Sequence, residues 1–189
     1  MANMMQTRQA IRTVFLQLLE ERTLNKITVR DITDRCGINR NTFYYHYQDI
    51  PALLEEICSD EVERIVREYP NIQSIEECLD TALQFAMQNR RAILHIYNSD
   101  NRSTYVNCLW RICEHTVRTY VDTVLDGRPI SARDRELIIR YHKCACFGWV
   151  VECISGGMRD DLLEDVHRIC QLKKGSAEEM MRRIRMEIL

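Results

Sequence analysis

Residues 28–47 read TVRDITDRCGINRNTFYYHY, and their spacing decides the fold. Thr28 suits an N-cap, and Asp31 three residues on can answer it in a capping box. Val29, Ile32 and Cys36 then share one face of a helix of about two turns. Gly37 follows as the left-handed residue that ends this helix, a conformation strained for a side chain. Ile38 plugs the corner. Asn39 caps a second helix running from Arg40 through Asn41, Thr42, Phe43, Tyr44, Tyr45 and His46 to Tyr47. Two short helices around a tight turn make a helix-turn-helix.

The second helix has too much polar chemistry for a core helix. Phe43 and Tyr47, four apart, face inward. Arg40, Asn41, Tyr44 and Tyr45 are left outward, alongside Thr42 and His46. Arginine and asparagine make bidentate contacts to purine edges, whereas hydroxyls, amides and histidine contact phosphates. The pattern points to a helix that enters a DNA groove.

With Gly37, Thr42, Tyr44, His46, Tyr47 and Leu53-Leu54 in place, the stretch from about Thr7 to Cys58 resembles the DNA-binding domain of the TetR family of bacterial transcription regulators. The resemblance implies an all-α dimer, with three N-terminal helices on a palindromic double-stranded operator. A C-terminal helical domain would bind an unidentified small-molecule effector and dimerise. Carried over by position, the DNA-facing residues are Thr28 and Arg30, then Asn39, Arg40, Asn41, Thr42, Tyr44, Tyr45 and His46. One position departs from the family, which usually has a lysine near the start of its fourth helix. Here the chain reads Asp49-Ile50-Pro51. Ile50 cannot pair with a phosphate, which lowers non-specific affinity and flattens its salt dependence. The alternative reading is therefore a TetR-fold coactivator or adaptor, with weak or no DNA binding, that acts through a protein partner.

Composition is consistent with an all-helical protein. The chain has 189 residues, 46% of them hydrophobic, with only six glycines and three prolines. Such a chain can bury a sizeable core, and its glycine and proline content disfavours an all-β or disordered protein. No apolar run approaches the length of a membrane span and no signal sequence opens the chain, so we expect a cytoplasmic protein without membrane association. Nine cysteines with no Cys-x-x-Cys pair read as small buried hydrophobes in a reducing compartment, with no metal site or cofactor. No phosphate loop, metal-ligand spacing or nucleophile elbow suggests an enzyme. The net charge is -2. Between Thr7 and Tyr47, however, Arg8, Arg12, Arg22, Lys26, Arg30, Arg35 and Arg40 outnumber Glu20, Glu21, Asp31 and Asp34. A basic head on an acidic body suits a protein that presents one end to DNA.

Helical stripes account for the rest. A first helix from about Thr7 to Arg22 carries Ile11, Val14, Phe15, Leu18 and Leu19 on one side. Residues 1–50 form the DNA-binding domain and 51–189 the ligand-binding and dimerisation domain. A helix over 49–69, capped by Asp49 and apolar at Leu54, Cys58, Val62, Ile65, Val66 and Tyr69, connects them. The body continues with a helix opened by a Ser74/Glu77 capping box and apolar through Met87, then a short helix through Ile93 to Tyr97. A long helix runs from about Thr104 to Leu125, stopped by Asp126 to Pro129. The next, Ser131 to Ser155, is apolar nearly all round in its second half, and a second subunit would cover one side of it. Phe147, Gly148, Val151, Leu163, Val166 and Cys170 are the expected dimer contacts, from late helices that pair in the TetR likeness. A last amphipathic helix spans Ser176 to Ile188. Aromatic and histidine side chains within these stripes, namely His95, Tyr97, Trp110, His115, Tyr141 and Trp149, are the candidate lining of an effector pocket.

Overall fold

A computed structural model describes residues 2–72, 74–125, 130–173, 175–176, 179–180 and 182–183, except for the side chains of 2, 3, 75 and 163. Every regular element among them is helical: α1 (Ala2–Glu21), a 3-10 turn (Leu24–Lys26), α2 (Val29–Cys36), α3 (Arg40–His46), α4 (Ile50–Glu68), α5 (Ile75–Gln88), α6 (Arg90–Tyr97), α7 (Arg102–Leu125), α8 (Ala132–Ser155) and α9 (Asp160–Lys173). The expected stop at Asp126 to Pro129 and most of the expected last helix lie outside the described residues. Contacts divide the chain into two compact units, residues 1–64 with 89–108, and 65–88 with 109–189.

In the first unit α1 packs on α2 and on α6. Its core is Ile11, Phe15, Leu18, Leu19, Ile32, Phe43, Leu53 and Leu54, all essentially inaccessible. Burying a side chain such as Phe43 contributes roughly 1.5–3 kcal/mol. The apolar positions of α1 follow the expected stripe, although the helix starts at Ala2, a turn or more earlier than Thr7. α6 adds Ala92, Ile93, Ile96 and Tyr97 to this core. His95 Nδ1 lies 2.6 Å from the Leu19 carbonyl oxygen. A carbonyl only accepts, so this nitrogen carries the proton and satisfies one of the last, otherwise orphan carbonyls of α1.

In the second unit α5 packs on α8, and α9 on α8. Ser74 and Ser131 cap α5 and α8 by accepting from the Glu77 and Asp134 N–H groups at 3.1 and 3.0 Å. The core is Cys78, Leu79, Ala82, Leu83, Leu109, Ile112, Cys113, Thr116, Val117, Tyr120, Val121, Ile138, Ile139, Cys146, Val150, Cys153, Ile154 and Val166. Two residues of the expected stripes turn outward: Val66 is 41% and Met87 36% exposed. Each sits near the end of its helix, where the stripe has drifted off the packed side. Nor is α8 buried all round within the chain. Leu137, Tyr141, Cys144 and Gly148, spaced by three or four residues, stay exposed.

Candidate nucleic-acid interface

Local capping chemistry shapes the helix-turn-helix. Thr28 is extended at φ -113°, ψ 158°. Its hydroxyl oxygen accepts from the Asp31 N–H at 3.2 Å, and its own N–H donates to Asp31 Oδ2 at 2.8 Å. The Thr28 hydroxyl also donates to that carboxylate at 2.6 Å, and these bonds hold the Asp31 carboxyl below the usual carboxylate range. At the other end Gly37 is left-handed, φ 66° and ψ 32°. The Ile38 N–H reaches back to the Thr33 carbonyl at 3.1 Å, the long bond of a Schellman turn. Asn39 then caps α3, its Oδ1 accepting from the Thr42 N–H at 2.8 Å and from the Thr42 hydroxyl at 3.1 Å.

These bonds sort the residues expected to face DNA. Thr28, Asn39 and Thr42 have side chains engaged in capping. Arg40 and Asn41 are exposed, as are Tyr44 at 54% and Tyr45 at 71%. Together they form one continuous rim of α3, bordering the face that buries Phe43 and Tyr47. His46 is half-buried, its ring edge-on to Tyr45 at 5.3 Å. Arg30 is exposed and 3.3 Å from Asp34 one turn on, an exposed pair weak enough for a phosphate to displace. Arg40 offers the fork that matches a guanine edge, Asn41 the amide that matches an adenine edge.

At the start of α4 Asp49 accepts from the Ala52 N–H at 2.8 Å, so its own carboxylate occupies the positive end of that helix. Ile50 beside it is half-buried and brings no cation. Behind α3 lies an ion network that sequence patterning did not reveal. Tyr47 donates to Glu56 Oε1 at 2.8 Å, Arg8 to the same oxygen at 3.1 Å and Arg12 at 3.0 Å, and Arg12 also pairs with Asp60. Burial raises the Glu56 carboxyl, but hydrogen bonds from Arg8 and Tyr47 outweigh it and hold the group below its ordinary value.

The sequence matches a family profile described as bacterial regulatory proteins, tetR family, over residues 13–57, and one described as a transcriptional regulator C-terminal region over 73–175. The second match alone spans more than half of the chain. The protein belongs to the TetR family of transcription regulators. A relative, the uncharacterized HTH-type transcriptional regulator YxbF of Bacillus subtilis (strain 168), is 30% identical over 101 residues, 50% of this chain. The match spans only 27% of that protein's length. Among solved structures, the dihydroxyacetone kinase operon activator DhaS superposes with a TM-score of 0.68 at 20% identity, over 95% of this chain and 97% of its own. GusR of Salmonella enterica gives 0.58 at 15% identity, over 87% and 93%. A TetR regulator from Rhodococcus sp. RHA1 gives 0.55 at 14%, over 89% and 96%. At these identities the superpositions show a shared TetR fold.

The second unit contains a cavity of about 50 Å3. Leu79 of α5, His142, Ala145, Cys146 and Trp149 of α8, Ile169, Cys170 and Lys173 of α9, and Ser176 line it. Of the six aromatic and histidine residues expected around a pocket, Trp149 reaches this one. Tyr141 is exposed and accepts from Lys173 Nζ at 3.2 Å. Trp110 stacks edge-on against Phe147 at 5.0 Å, with Lys143 Nζ 4.2 Å from its centroid. His115 contacts the Tyr69 backbone, and burial lowers its pKa. His95 and Tyr97 belong to the first unit.

The expected dimer contacts separate as well. Gly148 is exposed, and Phe147 and Val151 are half-buried. Val166 is fully buried within the unit, and Cys170, half-buried, lines the cavity. The side chain of Leu163 lies outside the described residues. His142 and Cys146 were missed as lining residues, although their positions with Trp149, at i, i+4 and i+7, mark one face of α8.

Proposed function

We propose that the protein is a homodimeric, effector-responsive repressor that reads a palindromic operator through α2 and α3. The exposed rim of Arg40, Asn41, Tyr44 and Tyr45 carries this reading. Recognition chemistry stands outward on a helix whose other face is locked into the core by Phe43 and Tyr47. The α8 face of Tyr141, Cys144 and Gly148, flanked by Phe147 and Val151, supplies the contact between subunits. Gly148 has no atom within 4 Å of where a Cβ would stand, which leaves room for a close two-fold approach. The effector enters the body at the Trp149 cavity. At about 50 Å3 the cavity must open to take a metabolite-sized molecule, since such sites usually measure roughly 300–1,000 Å3. That opening displaces α8 or α9. α4 begins in one unit and ends in the other.

Selection from a random duplex library by the purified protein tests this reading. A two-fold symmetric sequence with half-sites about 34 Å or more apart is expected. Enrichment of an asymmetric sequence would contradict the dimeric reader.

A second reading rests on the start of α4. Asp49 and Ile50 offer no cation to phosphate, and the superposing protein DhaS is described as an operon activator. On this reading the same fold binds DNA feebly and acts as a coactivator through a protein partner. An empty selection, with weak binding that vanishes on adding salt, would favour it.

A further inference from the structure

Four thiols from four helices converge in the second unit: Cys78 of α5, Cys113 of α7, Cys146 of α8 and Cys170 of α9. Cys146 Sγ lies 3.6 Å from Cys113 Sγ and 4.0 Å from the Cys78 carbonyl oxygen. Cys146 and Cys170 both line the cavity. Among the described residues, Cys146 is the thiol that both faces the cavity and touches a second sulfur. We propose that Cys146 and Cys113 form a peroxide-oxidisable dithiol, with the cavity as the docking place for a small hydroperoxide.

The space fits that class of reactant. A volume of about 50 Å3 admits hydrogen peroxide. In the first step the Cys146 sulfur attacks one peroxide oxygen, the O–O bond breaks, and the departing hydroxide takes up the thiol proton to leave as water. Cys146 is then a sulfenic acid. In the second step the Cys113 sulfur attacks Cys146 Sγ, the S–O bond breaks, and a second water leaves with the Cys113 proton. Two thiols have lost two electrons to one peroxide, and a disulfide remains.

Cys170 and Cys78 are poorer candidates for the attack. Burial pushes the Cys170 thiol up to about 11, and the Cys78 thiol lies back from the cavity, donating to the Thr116 carbonyl oxygen at 3.4 Å. Forming the bond draws the sulfurs from 3.6 Å to about 2.05 Å, a movement that α7 and α8 must share with side-chain rotation. α8 also carries the Tyr141, Cys144 and Gly148 face. If that face is the subunit contact proposed above, oxidation shifts it and links redox state to DNA affinity.

The full chain, fully reduced, is exposed to excess hydrogen peroxide, alkylated and mapped by mass spectrometry. The expected result is a loss of about 2 Da, reversed by dithiothreitol, with the link joining Cys113 to Cys146. Cys144→Ser, which removes the exposed thiol nearest in sequence, should keep the link. Cys113→Ser should stop at a gain of about 16 Da that dimedone traps. An unchanged mass, or a link that uses Cys78, Cys144 or Cys170, would overturn the assignment. The map of the unmutated chain decides this even if a serine variant misfolds. Failure of the reduced protein to select DNA would count against the proposed function and leave the mass readout intact. A linked protein whose DNA affinity equals that of the reduced form would overturn the coupling to DNA.

Discussion

The Tyr47 hydroxyl, just past the end of α3, donates a 2.8 Å hydrogen bond to Glu56 Oε1 on α4. Arg8 and Arg12 of α1 bond to the same oxygen, so one carboxylate ties three helices of the head together. None of these four side chains belongs to the exposed rim. The network sets where α3 sits, and thus where Arg40 and Asn41 point. Tyr47→Phe removes the hydroxyl and keeps the buried ring. It should cost about 0.5–1.5 kcal/mol of head stability and weaken binding to all DNA sequences alike. Urea unfolding with duplex titrations checks this, and a loss confined to one base pair would contradict the positioning role.

Acid should loosen the same network. The Glu56 carboxyl is held below its ordinary value in the folded head, so its stabilisation is complete above the unfolded pKa, about 4.3. It is lost as the pH falls through the lower folded value. Other carboxyls titrate in this range, so the contribution of Glu56 is the difference between the wild type and Glu56→Gln. Both tryptophans, Trp110 and Trp149, lie in the second unit, so amide hydrogen exchange in α3 is the appropriate readout. Wild-type protection should converge on that of Glu56→Gln only as the pH falls through the lowered folded value. Parallel curves down to acid pH would contradict the assignment.

Ile50→Lys places a cation at the N-terminus of α4. Ile50 is half-buried, so a lysine stem can follow its path while the ammonium reaches solvent. Non-specific DNA affinity should rise, and the slope of log K against log salt should steepen by about 0.9. A fluorescence anisotropy titration at several salt concentrations measures this. An unchanged slope would mean that no phosphate passes Ile50.

How much of this is visible in the sequence depends on range. The Thr28–Asp31 box, left-handed Gly37 and the Asn39 cap are contacts within a few residues, and each was readable from spacing. The helix-turn-helix follows from them, and the TetR fold is what the resemblance of residues 7–58 implies. Longer-range pairings have no local signature. Nothing near His95 points to the Leu19 carbonyl, and nothing near Arg8 or Arg12 points to Glu56. An apolar stripe also does not say what it meets. Val166 and Cys170 lie on the inward side of α9, which a stripe alone does not distinguish from a subunit contact. The cavity is shared by α5, α8 and α9, so only tertiary packing identifies its lining.

Gly148→Glu tests the proposed subunit contact. A Cβ at Gly148 meets nothing within 4 Å in the single chain. Replacing a helix-interior glycine should leave the isolated subunit as stable as before, or more stable by about 0.5–1 kcal/mol. Two glutamates brought together across a two-fold axis should weaken the dimer by about 2 kcal/mol or more. Sedimentation velocity of a well-folded monomer is the expected outcome. A dimer that persists at wild-type affinity would place the interface elsewhere.

The central claim is that the exposed rim of α3 reads bases, and the most direct measurement concerns Arg40. Wild type and Arg40→Ala are titrated against the selected operator and every single-base variant of one half-site. The account predicts that Arg40→Ala loses about 1–3 kcal/mol on the operator and becomes indifferent to the base at one position, while discrimination elsewhere is kept. An equal loss on every variant, or wild-type binding throughout, would contradict it.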